Sequence, residues 1–192
     1  EDETLGRPFE SALLVEDVTK ALSALNPEIA ANPARADEVL SKLRAVMLAV
    51  RNDGLVSSNE EFVAWLCGRR TIKYIGTDKD VQVNLIDFEN PDSNTLRITT
   101  EATFHVGREH RRYDVVLWVN GFPLVVGEMK TPKDKNISWL NGATDVHNAY
   151  EKKTPEFFVS NVLSFASEGR EFRYGAVGQP PELWLNWSST AD

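Results

Sequence analysis

The chain has 192 residues, 42% of them hydrophobic and 26% charged, and a net charge of −8. It is long enough for one domain with a sizeable core, too acidic for a general nucleic-acid binder, and carries no apolar run near the ~20 residues that span a bilayer. The single cysteine, Cys67, excludes a disulfide framework within the chain and fits a reducing, cytoplasmic setting; its apolar neighbours predict a small core residue. The N-terminal Glu1-Asp2-Glu3 lacks the pattern of a signal peptide.

The first third reads as helices. Pro8 suits a first turn, and Leu13, Leu14, Val18, Leu22 and Leu25 recur at helical spacing, so a helix is predicted over 8–25. Asn32 with Pro33 opens a second helix through Val50, ended by Asn52-Asp53-Gly54. Ser58 and Glu61 form a capping-box pattern ahead of Phe62, Trp65 and Leu66, which predicts a third helix closed by Gly68. Near residue 70 the period changes to alternation. Strands are predicted over 71–75, 81–88 and 95–106, with Asn90-Pro91-Asp92 as a turn. After a polar loop led by Pro132, a helix is predicted over 139–152, weakened by Asn141-Gly142, then strands over 159–165 and 171–174 around Glu168-Gly169. The order implies an α/β (α+β-like) fold: a mixed sheet flanked by helices, with a helical region over 1–70 packed on a core over 71–192 as one compact domain.

The stretch 113–131 concentrates the chemistry. Apolar runs 115–119 and 122–126 flank Asn120-Gly121, a strong hairpin signal because both residues tolerate positive φ. Asp114 stands where the hairpin begins, and Glu128 and Lys130 where it ends. Glu128 and Lys130 share a strand face. A strict two-residue turn sets Asp114 opposite Gly127. A three-residue loop or one bulge shifts the register and sets Asp114 opposite Glu128; that offset is expected, through a type I turn with a glycine bulge. Two carboxylates on one patch suit Mg²⁺ or Mn²⁺, which takes phosphate oxygens as further ligands, and a neighbouring lysine serves the attacking water. Arg108, Arg111 and Arg112 before the hairpin, with Lys133 and Lys135 after it, would place a positive rim around this acidic pocket. By itself the pattern favours the plainer reading, a hairpin with solvated end charges.

Asp, a spacer and Glu-x-Lys on neighbouring strands resembles the PD-(D/E)xK nuclease superfamily, with Arg112-Tyr113-Asp114 in place of Pro-Asp. Three longer strings are more specific: 83–91 (Val-Asn-Leu-Ile-Asp-Phe-Glu-Asn-Pro), 119–130 (Val-Asn-Gly-Phe-Pro-Leu-Val-Val-Gly-Glu-Met-Lys) and 172–175 (Phe-Arg-Tyr-Gly). Together they resemble the nuclease domain at the N-terminus of the restriction (R) subunit of type I restriction–modification enzymes, over roughly residues 7–187. The resemblance implies a restriction-endonuclease-like core and metal-dependent hydrolysis of double-stranded DNA. Asp114 and Glu128 would hold the metal with the Met129 carbonyl, and Lys130 would be the catalytic lysine. Glu10 matches an additional glutamate near the start of such domains. Tyr150 matches the tyrosine of a Gln-x-x-x-Tyr motif whose glutamine is replaced by Val146, leaving His147 or Asn148 as substitutes. Asp87, Asn90, His105 and His110 read as turn, surface or core residues. The resemblance further implies a fragment of a longer chain: an ATP-using translocase beyond it, modification and specificity subunits as partners, and a Trp-rich tail leading toward the motor. No phosphate-binding Gly-x-x-x-x-Gly-Lys loop is present. The alternatives are a non-catalytic docking module, which the acidic body suits, and a stand-alone repair nuclease.

Overall fold

Helix α1 (Val15–Leu25) starts at Val15 rather than Pro8 in the computed structural model, which describes residues 6–131, 133 and 136–187. The cause is local. The Arg7 guanidinium takes the carbonyl of Ser11 at 2.6 Å, and Ser11 folds back on Leu13 through its hydroxyl, so these groups are unavailable to a helix. A short α2 (Pro27–Ala31) precedes α3 (Arg35–Asp53), because Asn32 is extended and Pro33 forms only a lead-in turn. Gly54, at φ 83°, closes α3 and turns the chain straight into α4 (Leu55–Leu66). The Ser58–Glu61 capping box is therefore not used. Ser58 lies inside the helix, and Glu61 pairs with Arg70. Cys67 follows the last turn of α4 and is exposed, not a core residue.

A two-stranded ribbon, β1 (Thr71–Lys73) with β2 (Asp80–Gln82), stands apart from the main sheet. The strand predicted over 81–88 stops early. Val83 and Leu85 are buried, but the neighbouring backbone bonds to side chains instead of a ladder. Asn26 takes both the N–H and the carbonyl of Asn84, and Asp87 caps the amides of Glu89 and Asn90. These bonds, with Ser93, hold the Asp87 carboxyl below its ordinary range, in keeping with a turn residue.

The main sheet has six strands in chain order: β3 (Leu96–Val106), β4 (Glu109–Val119), β5 (Phe122–Met129), β6 (Leu163–Ser167), β7 (Phe172–Gly175) and β8 (Leu185–Asn186). Among the described residues only the β5–β6 pair is parallel. Its crossover runs through α5 (Trp139–Asp145), a π-helical turn (Val146–Tyr150), α6 (Glu151–Lys153) and α7 (Pro155–Phe158). The predicted start of β6 at 159 falls in this connection, where Asn59 of α4 takes the carbonyls of Val159 and Asn161. The helices pack on one sheet face: Phe62 meets Phe122, and Phe157 meets Tyr113 and Trp118.

The β4–β5 hairpin turns on two residues, Asn120 at φ 50° and Gly121 at φ 83°. Val119 pairs with Phe122 and Trp118 with Pro123, but Leu117 pairs with Val125, leaving Leu124 as a bulge. Pro123 lacks an N–H and fits beside such an interruption. The expected register offset is thus present. It is made by a bulge within β5, not by a three-residue turn.

Candidate metal and nuclease site

Past the bulge, Val115 pairs with Gly127, which sets Asp114 opposite Glu128. A second irregularity lies at the same level. Glu101 of β3 has φ 56°, and its register neighbours, Thr100–Val115 and Ala102–Tyr113, make it the partner of Asp114. The inward residues are Thr99 and Ala102 on β3 and Tyr113 and Val116 on β4, all buried, so the two-residue alternation slips at this point on both strands. Asp114 sits at the slip. Its Oδ2 accepts from the Met129 amide at 2.8 Å.

Glu128 is buried. Lys130 Nζ donates to its Oε1 at 2.7 Å, and the Tyr150 hydroxyl donates to its Oε2 at 3.0 Å. Burial raises its carboxyl above the ordinary range; the Lys130 bond opposes this, and the negative charge of Asp114 adds to it. Lys130 Nζ also donates to Asp145 Oδ2 at 2.6 Å. Burial alone would lower the lysine, but its bonds to Asp145 and Glu128 outweigh that and raise it. Tyr150 is raised by burial and then by the adjacent Glu128 charge. The chain thus holds Asp114, Glu128, Lys130 and Tyr150 together, with Asp145 as a fifth member.

Two of these contacts depend on features that sequence reading missed or misjudged. Asn141, taken as a helix weakness, accepts from the Ser138 amide, while Ser138 Oγ accepts from the Leu140 amide, so the pair caps α5. Gly142 lets α5 press onto the sheet: a Cβ there would stand 3.1 Å from Ala166 Cβ and 3.3 Å from Glu128 Cγ. The π-helical turn then carries Tyr150 to Glu128, an irregularity of the kind found at functional sites. Asp145 had no local signal, because its pairing with Lys130 exists only when the helix lies on the sheet.

Other expected residues do not converge. Glu10 lies in the turn before α1, exposed, with no hydrogen bond to the site among the described residues, and it is not on a helix. Val146 is buried in the core. Neither His147 nor Asn148 replaces the missing glutamine: His147 Nδ1 lies 3.2 Å from Glu151, and Asn148 accepts from Lys152. The β3–β4 ladder continues past the end of β5 to Val106–Glu109, so Arg108, Arg111 and Arg112 overhang the side of the sheet where Asp114 stands. Arg111 pairs with Glu109 and Arg112 with Glu101, which dilutes the expected positive rim. Lys133 is exposed, and Lys135 lies outside the described residues.

The donor set fits a hard divalent cation in a limited way. Among the described residues no three His, Cys, Asp or Glu side chains converge. Two like-charged carboxylates with the Met129 carbonyl suit Mg²⁺, which needs only one or two carboxylates and completes its shell with water and phosphate oxygens.

Comparison with known proteins shows the family of the chain. The family model described as "Type I restriction enzyme R protein N terminus" matches residues 2–183, and the chain belongs to that family. It is 24% identical over 184 residues, 93% of this chain, to the "Putative type I restriction enzyme MjaIXP endonuclease subunit" of Methanocaldococcus jannaschii. It is 27% identical over 180 residues, 91% of this chain, to the "Type I restriction enzyme HindI endonuclease subunit" of Haemophilus influenzae. The matched regions are 17% and 16% of those proteins, so the chain spans a small part of the relatives' length.

Proposed function

We propose that this chain is the nuclease domain of a type I restriction R subunit and hydrolyses phosphodiester bonds of double-stranded DNA with Mg²⁺ or Mn²⁺. The observation that carries the reading is the placement of Asp114 opposite Glu128, with Lys130 bonded to Glu128 on the same rim. Asp114, Glu128 and the Met129 carbonyl would hold the metal, which would supply a polarised water and neutralise charge on the phosphate. The chain's own residues then have defined tasks. Tyr150 and Lys130 orient the Glu128 carboxylate. Asp145 keeps the Lys130 ammonium at the rim as a hydrogen-bond donor to water or phosphate. Arg108, Arg111, Arg112, Lys133 and Lys135 would contact the DNA backbone, a mode without sequence readout. Glu10 stays an accessory candidate outside this cluster. Site choice and ATP-driven translocation would belong to the modification and specificity subunits and to the rest of the R subunit in the cytoplasm.

The test is paired. Lys130→Ala in the assembled restriction complex should abolish cleavage while the variant keeps a cooperative unfolding transition, lowered by the loss of a partner to buried Glu128. Calorimetry with Mn²⁺ should show binding that Glu128→Ala removes. Cleavage by Lys130→Ala at the parent rate refutes the assignment. The net charge of −8 favours the rival reading, a docking module for a basic partner surface, and an absence of any metal binding would support it.

A further inference from the structure

The six-stranded sheet has two faces, and the described helices pack on one of them. The other face carries a row from Ile98 through Leu117 and Val125 to Leu163. A second row runs from Phe165 through Tyr174 to Leu185. Alternation sets both rows opposite Val126 and Ala166, which are buried beneath the helices. Ile98 is 74% exposed, Leu185 56% and Trp187 64%. Phe165 stacks on Phe172 at 4.7 Å, and the Trp187 ring meets Phe172 and Tyr174 at 6.0 and 5.4 Å. These aromatic residues form a cluster outside the main core. No charged residue interrupts either row. A contiguous apolar face of this kind marks an interface.

We propose that this face is covered by the polypeptide that follows Trp187 in the full-length R subunit, packed across the sheet as a second apolar layer. The inference rests on membership of the R-protein family and not on the nuclease reading. Three observations select this occupant. Without Lys or Arg in the rows, the face offers nothing to DNA phosphates. Trp187, the last described residue, turns its ring onto this same face, so the polypeptide after it departs from the rim of that face. The relatives extend far beyond the matched region, which is 17% and 16% of their lengths. A tethered layer meets the face at an effective concentration that a free second copy does not reach.

The experiment places the photo-reactive residue benzoylphenylalanine at Ile98 or at Leu185 of the full-length R subunit and maps the cross-linked peptides by mass spectrometry. The expected products are cross-links within one chain to peptides beyond Trp187, with a yield unchanged on dilution. Cross-links only to a second copy, fading on dilution, overturn the proposal. So do cross-links only to DNA or to another subunit, and so does recovery of the unreacted probe alone. Ile98→Asp gives an independent readout, since charge on the face should release the covering layer. Limited proteolysis beyond Trp187 should then run about tenfold faster, as for a segment freed from packing. An unchanged cleavage rate would count against the proposal even if the aspartate variant folds normally.

Discussion

Glu151 offers a perturbation whose size follows from its surroundings. It is buried beside the π-helical turn, accepting from the Gly178 amide at 3.1 and 3.3 Å, with His147 Nδ1 3.2 Å from Oε2. Burial raises the carboxyl from an ordinary 4.5 to about 7, with the Gly178 amide and Lys152 pulling the other way. A raised carboxyl means that the folded state binds more protons than the unfolded one between these two values. Its stability contribution is therefore fullest below about 4.5 and is lost as pH rises to about 7. At 1.36 kcal/mol per tenfold change in proton affinity, ionising Glu151 costs the fold about 3 kcal/mol. Glu151→Gln keeps an acceptor for Gly178 and cannot ionise. Urea unfolding should give similar stabilities for parent and variant at pH 4, and a variant more stable by about 3 kcal/mol at pH 8. His147, which burial holds below its ordinary value, acts in the opposite sense but is present in both proteins. Equal stability at both pH values, or a variant weaker at pH 8, would refute the reasoning.

Other substitutions probe the site's supports. Gly121→Ala should cost about 3 kcal/mol in a urea titration, because the residue sits at φ 83° and its Cβ would lie 2.5 Å from the Leu14 carbonyl oxygen. Gly142→Ala gains about 1 kcal/mol of helix propensity but drives α5 off Ala166 and Glu128. The net loss should be about 1 kcal/mol, with weaker Mn²⁺ binding by calorimetry. Tyr150→Phe removes a donor from buried Glu128 and should cost about 2 kcal/mol, measured by thermal unfolding at neutral pH. Glu101→Gly relieves a positive φ opposite Asp114 and should raise stability by about 1 kcal/mol.

Much of the fold was legible in the sequence because its signals are local. The helical stripes, Gly54 as a helix stop, the Asn120-Gly121 turn and the change of period near residue 70 each depend on neighbours a few residues apart. The boundaries were less legible. Arg7 reaching the Ser11 carbonyl, a side-chain contact within one turn that helical periodicity does not encode, delayed α1, and Asn26 bonding Asn84 from the far side of three helices ended β2. The candidate site divides in the same way. Asp114, Glu128 and Lys130 were readable as charges at the ends of an apolar hairpin, and the offset that brings the two carboxylates level was expected from their need to share a face. The place of the offset was decided by a bulge at Leu124. Cys67 was misplaced because its apolar neighbours point inward while the last turn of α4 leaves it outside.

What the amino-acid order by itself determined is the main helices and strands, without α2, the π turn and β8, and the three charged groups at one hairpin end. Only the tertiary structure decided what those groups touch. Asp145 reaches Lys130, and Tyr150 reaches Glu128, because Gly142 admits a helix to the sheet and a π turn rotates its far end. Periodicity encodes which side of an element is buried, whereas the partner on the other side is set by how the elements pack, through distances that close only in the folded chain.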